Sequence, residues 1–380
     1  MGKLCRASVL YGPKDLRLEE RGLESPDPTE LQIAIRATGL CGSDLHYYQH
    51  YRNGDIQVTE PLSLGHESAG VVVVVGSQVD DFKVGDRVAL EVGLPCGECE
   101  RCREGRYNIC QHLRFRSSAK ASPHFQGTLQ DRINHPASWC HKLPDHVSYD
   151  VGAILEPLGV AIQASRRAQI AQESSTLVLG AGAVGLLCAA MAKVVGSSHV
   201  VIADIQQERV KFATQNGFAH EGFTVPAKRG QNIDEKLQIA KETAASATEK
   251  IRNGTGSTGG FDVVLECTGV EACTQAAIYA TRPAGKVVIV GMGNPVQTLP
   301  ISAAALREVD ILGTFRYANT YPQAIELVSG HNPLLADLGK LVTHRFLGLD
   351  HVERAFEMAA RANDADGNLV LKVVVESDDA

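Results

Sequence analysis

The sequence predicts an α/β chain in two parts, a mainly-β domain and a doubly wound parallel-sheet domain. Three observations carry that expectation. Short β-type runs broken by turn signals fill roughly the first 90 residues. A strand, a glycine-rich turn, a helix and a second strand then run from Ser174 to Asp204. Helical and strand patterns go on alternating to about residue 315, as a parallel sheet with crossover helices requires.

Bulk composition narrows the function classes. The 380 residues suit two domains, and 44% hydrophobic content with 5% aromatics means large aliphatic cores. With 37 basic against 44 acidic residues and a net charge of −7, no nucleic-acid partner is expected. Met1 to Arg6 lacks the apolar run of a secretory signal, and the apolar stretches are short or broken by Lys193. No membrane partner is therefore expected, and a cytoplasmic location is. Ten cysteines in such a chain read as metal ligands or core residues rather than disulfides.

In the mainly-β part, strands are expected at 5–11, 16–20, 31–38 and 70–76, continuing at 84–88, with turns at Tyr11-Gly12-Pro13 and Ser25-Pro26-Asp27-Pro28. The segment Thr38 to His46 follows a strand and reads as a loop leading into a helix, with Cys41 placed to face a cleft or to be a small buried hydrophobe. Gly65-His66-Glu67 puts an imidazole and a carboxylate side by side. Both are good ligands for zinc, and the pair equally fits a core histidine beside a surface glutamate. The valine run from Val71 to Val75 suits a strand covered on both faces.

Cys96, Cys99, Cys102 and Cys110 give the strongest single motif. Two-residue gaps let thiolates from one compact loop converge on a tetrahedral zinc, and four of them leave no open coordination position. The site is therefore expected to be structural, with an iron–sulfur cluster as the lesser alternative. Residues 111–145 read as irregular, anchored by Phe115, Pro123 and Trp139. Glu156 sits inside the apolar run Gly152 to Leu158, where it fits either a metal partner or a carboxylate at a helix start near Pro157.

Gly180, Gly182 and Gly185 then follow a strand and open a helix, and Asp204 ends the next strand. The glycines allow the tight turn, the approach of a pyrophosphate and helix–strand packing. Asp204 is spaced to accept hydrogen bonds from ribose hydroxyls and to repel a 2′-phosphate, which favours NAD over NADP. Arg209 fits stacking on adenine or pairing with a phosphate. Gly291-Met292-Gly293 ends a later strand, where backbone can approach a nicotinamide. The 234–251 stretch reads as a polar helix and 253–260 as an exposed loop. A last helix is expected at 352–361 and a last strand at 369–375.

Together these motifs resemble the zinc-containing medium-chain dehydrogenases over essentially the whole chain, in the order GroES-like domain then Rossmann domain. Gly65-His66-Glu67, Gly70, Gly76 and Val79 fit the family's zinc signature, and the polyol branch is the most similar. Cys41 to Tyr47, Leu155-Glu156-Pro157-Leu158, Arg307 to Asp310 and Phe315 to Thr320 carry that likeness. The resemblance implies a GroES-like catalytic domain over 1–160 and 316–380, with a zinc lobe near 93–112 and an NAD-binding domain over 161–315. It implies two zincs per chain. Cys41, His66 and Glu67 would ligate the catalytic one, with Glu156 a further ligand or the holder of a water there, and the four clustered cysteines would ligate the structural one.

Ser43, Tyr47, Phe115, Glu156, Arg316 and Tyr317 match polyol-contacting positions. Val184, Asp204, Arg209, Val290, Gly291, Met292, Thr314, Phe315 and Arg316 match NAD contacts. The implied reaction is NAD-linked oxidation of a secondary hydroxyl of a polyol of the sorbitol, xylitol or L-arabinitol type to the ketose, and its reverse, by a homotetramer. Ser43, a zinc-bound water held by Glu156, or both would pass the proton on. A butanediol or threonine dehydrogenase with the same machinery is the alternative. Three stretches depart from the family pattern: 48–52, 118–126 and an insertion within 225–260.

Overall fold

The computed structural model describes residues 3–255 and 259–378. The chain forms two compact units. One comprises Met1–Glu156, Ala318–His331 and Leu338–Ala380, and the other Pro157–Tyr317 and Asn332–Asp337. The boundary falls inside the helix Tyr149–Ala168, between Glu156 and Pro157.

The first unit is built on the strand Glu30–Gly39. It pairs antiparallel with Glu67–Val75, with Arg132–Pro136 and with Lys372–Glu376, within a seven-stranded sheet. Leu31, Ile33, Val72, Val88 and Leu90 from this sheet are fully buried against one another. Their β-branched and aliphatic side chains are what a pleated, covered surface accommodates. A second sheet joins Asp15–Leu23, Lys3–Gly12 and Leu62–Ser63. Its core of Leu10, Leu62 and Leu64 continues into Tyr47, Phe356 and Val373.

Several expectations are corrected here. The Glu67–Val75 strand is covered on both faces only over Glu67 to Gly70, and Val74 is 39% exposed, so the valine run emerges from the core rather than filling it. The strand expected at 84–88 begins at Arg87, because residues 83–86 turn back on themselves through Asp86 N–H to Lys83 O and Lys83 N–H to Asp86 Oδ2. Residues 111–145 are only partly irregular: Arg114–Phe115, Arg132–Pro136 and Cys140–Lys142 pair in sheets, while residues 116–131 form no helix and no strand. Pro123 is exposed and anchors nothing, whereas Phe115 is buried.

The second unit is a six-stranded sheet in which every neighbouring pair is parallel. The order is Glu221–Thr224, His199–Asp204, Ser175–Leu179, Phe261–Glu266, Thr281–Ile289 and Asp310–Gly313. The strand order reverses beside Ser175–Leu179, whose carboxyl end runs straight into the glycine-rich turn. Doubly wound sheets bind ligands at this switch point. Within 225–260 the chain forms the helix Ile233–Thr255, longer than the 234–251 stretch implies. Ala240, Ala244, Ala247 and Ile251 lay one aliphatic stripe into the core of this unit. The expected 253–260 loop falls partly on this helix, and residues 256–258 lie outside the described residues. The last helix, Val352–Ala359, and the last strand, Lys372–Glu376, belong to the first unit.

Candidate active site

Two separate pieces of the first unit bring Cys41 together with the adjacent His66 and Glu67. Cys41 is the extended residue just before the helix Gly42–His50, and its N–H donates to Asp44 Oδ2 at 3.4 Å. Glu67 opens the strand Glu67–Val75 opposite Gly39. A Cβ on Gly39 would stand 2.3 Å from Glu67 Oε2, so only glycine leaves room for that carboxylate. The donor atoms of Cys41, His66 and Glu67 lie within 4.8 Å of one another. His66 is 5% exposed and Glu67 1%.

Asp44, which the sequence reading passed over, organises this cluster. It is fully buried. Its Oδ1 lies 3.2 Å from His66 Nδ1 and accepts from Gly65 N–H at 3.2 Å and from Ser117 Oγ at 2.5 Å. An imidazole that gives its Nδ1 proton to a carboxylate keeps Nε2 as a lone-pair donor, the arrangement that metal-ligating histidines adopt. Burial alone would raise the Asp44 pKa, but His66 and Ser117 outweigh it and hold the carboxyl below its usual range. Burial likewise pulls the His66 pKa down, and Asp44 and Cys41 reverse the sign and lift it well above the ordinary imidazole value.

Lys372 is the second residue that sequence did not single out. Its Nζ lies 2.8 and 2.7 Å from the two Glu67 oxygens and 3.2 Å from Leu40 O, and it is 5% exposed. Burial lowers its pKa, and Glu67, Cys41 and Glu156 more than restore it. A buried charge is tolerated only when paired. The cluster gathers three buried carboxylates (Asp44, Glu67 and Glu156) and a thiol against this ammonium. A divalent cation taken by Cys41 and His66 offsets that excess, and sulfur, nitrogen and oxygen donors are what zinc accepts. The only signals for Asp44 and Lys372 in sequence were a helix-start acid three residues after Cys41 and a lysine in a valine-rich strand.

The other predicted residues fall as follows. Glu156 is 5% exposed and lies mid-helix rather than at a helix start, outside the three-donor group. Ser43 is half-buried in the first turn after Cys41. The Tyr47 hydroxyl sits in the aliphatic core and accepts from Ala119 N–H at 3.4 Å. The Phe115 ring centroid stands 5.3 Å from that of His66, tilted by 60°, so Phe115 packs on a ligand. Arg316 and Tyr317 belong to the second unit. Arg316 has φ +47° and its guanidinium carbon lies 4.8 Å above the Phe315 ring, while Tyr317 is buried.

Cys96, Cys99, Cys102 and Cys110 make the second donor group. Their Sγ–Sγ separations of 3.5 Å (Cys99–Cys102 and Cys96–Cys110) and 3.9 Å (Cys96–Cys102) bracket the edge of a zinc–thiolate tetrahedron. That edge is about 3.8 Å for a zinc–sulfur bond of about 2.3 Å. Backbone N–H groups of Glu98 and Cys99 lower the Cys96 thiol to about 6, whereas burial and Cys99 push Cys102 up to about 12.

In the second unit a Cβ on Gly185 would meet Gly180 O at 1.8 Å, so glycine alone lets the helix Ala183–Val194 close onto the turn. Asp204 Oδ2 accepts from Ala181 N–H at 2.7 Å and Oδ1 from Gln206 N–H at 2.8 Å, which ties the strand end to the turn. Arg209 Nε and Thr314 Oγ1 are buried without a hydrogen-bond partner among the described residues, and Arg209 NH1 lies 4.0 Å from where a Gly182 Cβ would stand. The orphaned Arg209 donor, beside a glycine turn at a helix N-terminus, fits a phosphate-bearing dinucleotide. Val290 and Gly291 N–H both donate to Glu266 O at 2.8 Å, and Met292 is 66% exposed. Glu266, unpredicted, is fully buried and accepts from Thr268 and Gly269 N–H, with burial raising its pKa.

Residues 27–145 match the alcohol dehydrogenase GroES-like domain, and residues 183–330 match the zinc-binding dehydrogenase domain. The chain is 41% identical to the sorbitol dehydrogenase of Gallus gallus over 93% of each sequence. The chain belongs to the zinc-containing medium-chain dehydrogenases. Within this family it is also 38% identical to the L-idonate 5-dehydrogenase of Vitis vinifera, over 96% of this chain and 94% of that one. A solved Escherichia coli oxidoreductase of unknown specificity superposes with a TM-score of 0.86 at 30% identity, covering 99% of this chain and 100% of that one. The two-part architecture is thus that of a GroES-like domain and a Rossmann-type domain. No described helix is long and apolar enough to cross a membrane.

Proposed function

We propose that this chain is a zinc- and NAD-dependent polyol dehydrogenase that interconverts a secondary alcohol of a sorbitol-, xylitol- or L-arabinitol-type substrate and the ketose. The convergence of the Cys41, His66 and Glu67 donors carries the reading, and a sorbitol dehydrogenase relative at 41% identity supports it. When bound, zinc would supply the Lewis acidity that lowers the pKa of a secondary hydroxyl, and NAD would supply the hydride acceptor. Cys41, His66 and Glu67 would hold the metal, and Asp44 fixes the His66 ring. Ser43 and a water held by Glu156 would carry the proton away. Arg316 and Tyr317 orient the remaining hydroxyls, Arg316 through several fixed donors that cannot be neutralised. Asp204 binds the adenosine ribose and excludes a 2′-phosphate, with Val184 and Arg209 beside it. The active species is a homotetramer in the cytoplasm.

The test is NADH absorbance across sorbitol, xylitol, L-arabinitol, L-idonate, butanediol, threonine and 2-propanol. A polyol should lead in kcat/KM, and butanediol or threonine in first place would replace the reading. L-idonate belongs in the panel because the Vitis vinifera relative points to a polyhydroxy acid. Arg316→Ala should cost the polyol about 2–4 kcal/mol in kcat/KM and 2-propanol much less. Equal losses would remove Arg316 from substrate recognition.

A further inference from the structure

Asp44 has four partners, and three of them travel with the metal ligands. Cys41 N–H, Gly65 N–H and His66 Nδ1 all come from ligands or their immediate chain neighbours. A carboxylate held only by these could shift together with the groups it is meant to position. The fourth partner is Ser117, 73 residues away in sequence, whose Oγ donates to Asp44 Oδ1 at 2.5 Å.

Ser117 is itself set rigidly. It is 3% exposed, and its N–H donates to Phe125 O at 2.8 Å. It lies two residues past the ladder in which Arg114 pairs with Leu94 and Phe115 with Gly93, and the four-cysteine loop closes that ladder. Its φ of +63° is a left-handed conformation that a non-glycine residue keeps only where the surroundings impose it, and such residues gather at functional sites. The same segment presses the Phe115 ring against His66.

We propose that Ser117 is a positioning residue of the catalytic metal site: its hydroxyl anchors Asp44 to the ladder closed by the four-cysteine loop, and so fixes the His66 ring toward the metal. This rests on the reading of Cys41, His66 and Glu67 as that site. Partners of metal-ligating histidines typically change affinity or activity by about 10- to 100-fold when removed, and Ser117 acts one bond further out.

The experiment follows zinc release from the loaded full-length enzyme to a chromogenic chelator, in Ser117→Ala, Ser117→Gly and His66→Ala. The release phase missing from His66→Ala belongs to this site. That phase should run about tenfold faster in both Ser117 variants, toward the lower end of the range for such partners. The other phase and the KM for NAD should stay unchanged. Ser117→Gly removes the left-handed penalty along with the hydroxyl, so its melting temperature should not fall below that of the unmodified protein. It thereby separates a folding defect from loss of the anchor. A site-specific phase within twofold of the unmodified rate in both variants overturns the proposal. Retention of both phases in His66→Ala overturns instead the reading of the metal site on which it rests.

Discussion

Four cysteines between residues 96 and 110 make one donor cluster from a single loop, while Cys41, His66 and Glu67 make the other from a helix start and a strand start. The loop cluster is mostly half-exposed, and its neighbours are surface charges such as Arg101 and Glu104, 39% and 40% exposed. The second cluster is surrounded by the buried charges of Asp44, Lys372 and Glu156. A metal in the loop stabilises a local fold. A metal in the buried cluster sits among groups whose charges must balance and whose orientations are fixed from elsewhere in the domain. That difference suits one cluster to structure and the other to chemistry.

The largest effect that could break this contrast comes from exchanging one ligand in each cluster. Cys41→Ser should reduce turnover to background with the melting temperature nearly kept. Cys99→Ser should lower melting while correctly folded molecules still turn over. Metal analysis should fall from about two zincs per chain to about one in each case. Should Cys41→Ser unfold the protein and Cys99→Ser silence it, the assignments are reversed.

Next comes Lys372→Met, which strands the buried Glu67 carboxylate. Breaking a buried pair from one side costs about 3–5 kcal/mol, and urea unfolding should report that loss. Adding Glu67→Gln should recover part of it. A single variant as stable as the parent would mean that Lys372 does not balance the cluster.

Asp44→Asn keeps the shape but weakens the hold on His66. Zinc affinity at that site or kcat should drop by about 10- to 100-fold, measured by chelator competition, with the four-cysteine site unaffected. The smallest effect belongs to the loop cluster's surface. Arg101→Ala removes an ion pair with Glu104 at 2.5 Å, and exposed pairs of this kind contribute under about 1 kcal/mol. A large thermal shift there would show the loop cluster to depend on charge as well.

The two clusters were not equally legible in the sequence. Cys96 to Cys110 declares itself because all its ligands and its geometry are local, so spacing alone reports convergence. The glycine turn ending at Gly185 and its partner Asp204 were legible for the same reason: one strand–turn–helix unit contains the constraint, and Gly180 O at 1.8 Å from a would-be Cβ is its physical statement. Residue types at Cys41, His66 and Glu67 suggested ligands, but only family likeness joined them. Nor does sequence show that the Phe115 ring packs on His66 or that the Tyr47 hydroxyl accepts from Ala119 N–H.

By itself, then, the sequence determined the two-part α/β plan, the dinucleotide turn, the four-cysteine loop and the ligand types available for a second metal. Tertiary structure alone decided that Asp44 and Ser117 fix His66, and that Lys372, 305 residues from Glu67, neutralises it. The reason lies in the range of each constraint. Turn and chelate-loop geometry is set by backbone a few residues long, whereas the balance of buried charge depends on which distant side chains the folded sheet brings into one low-dielectric space.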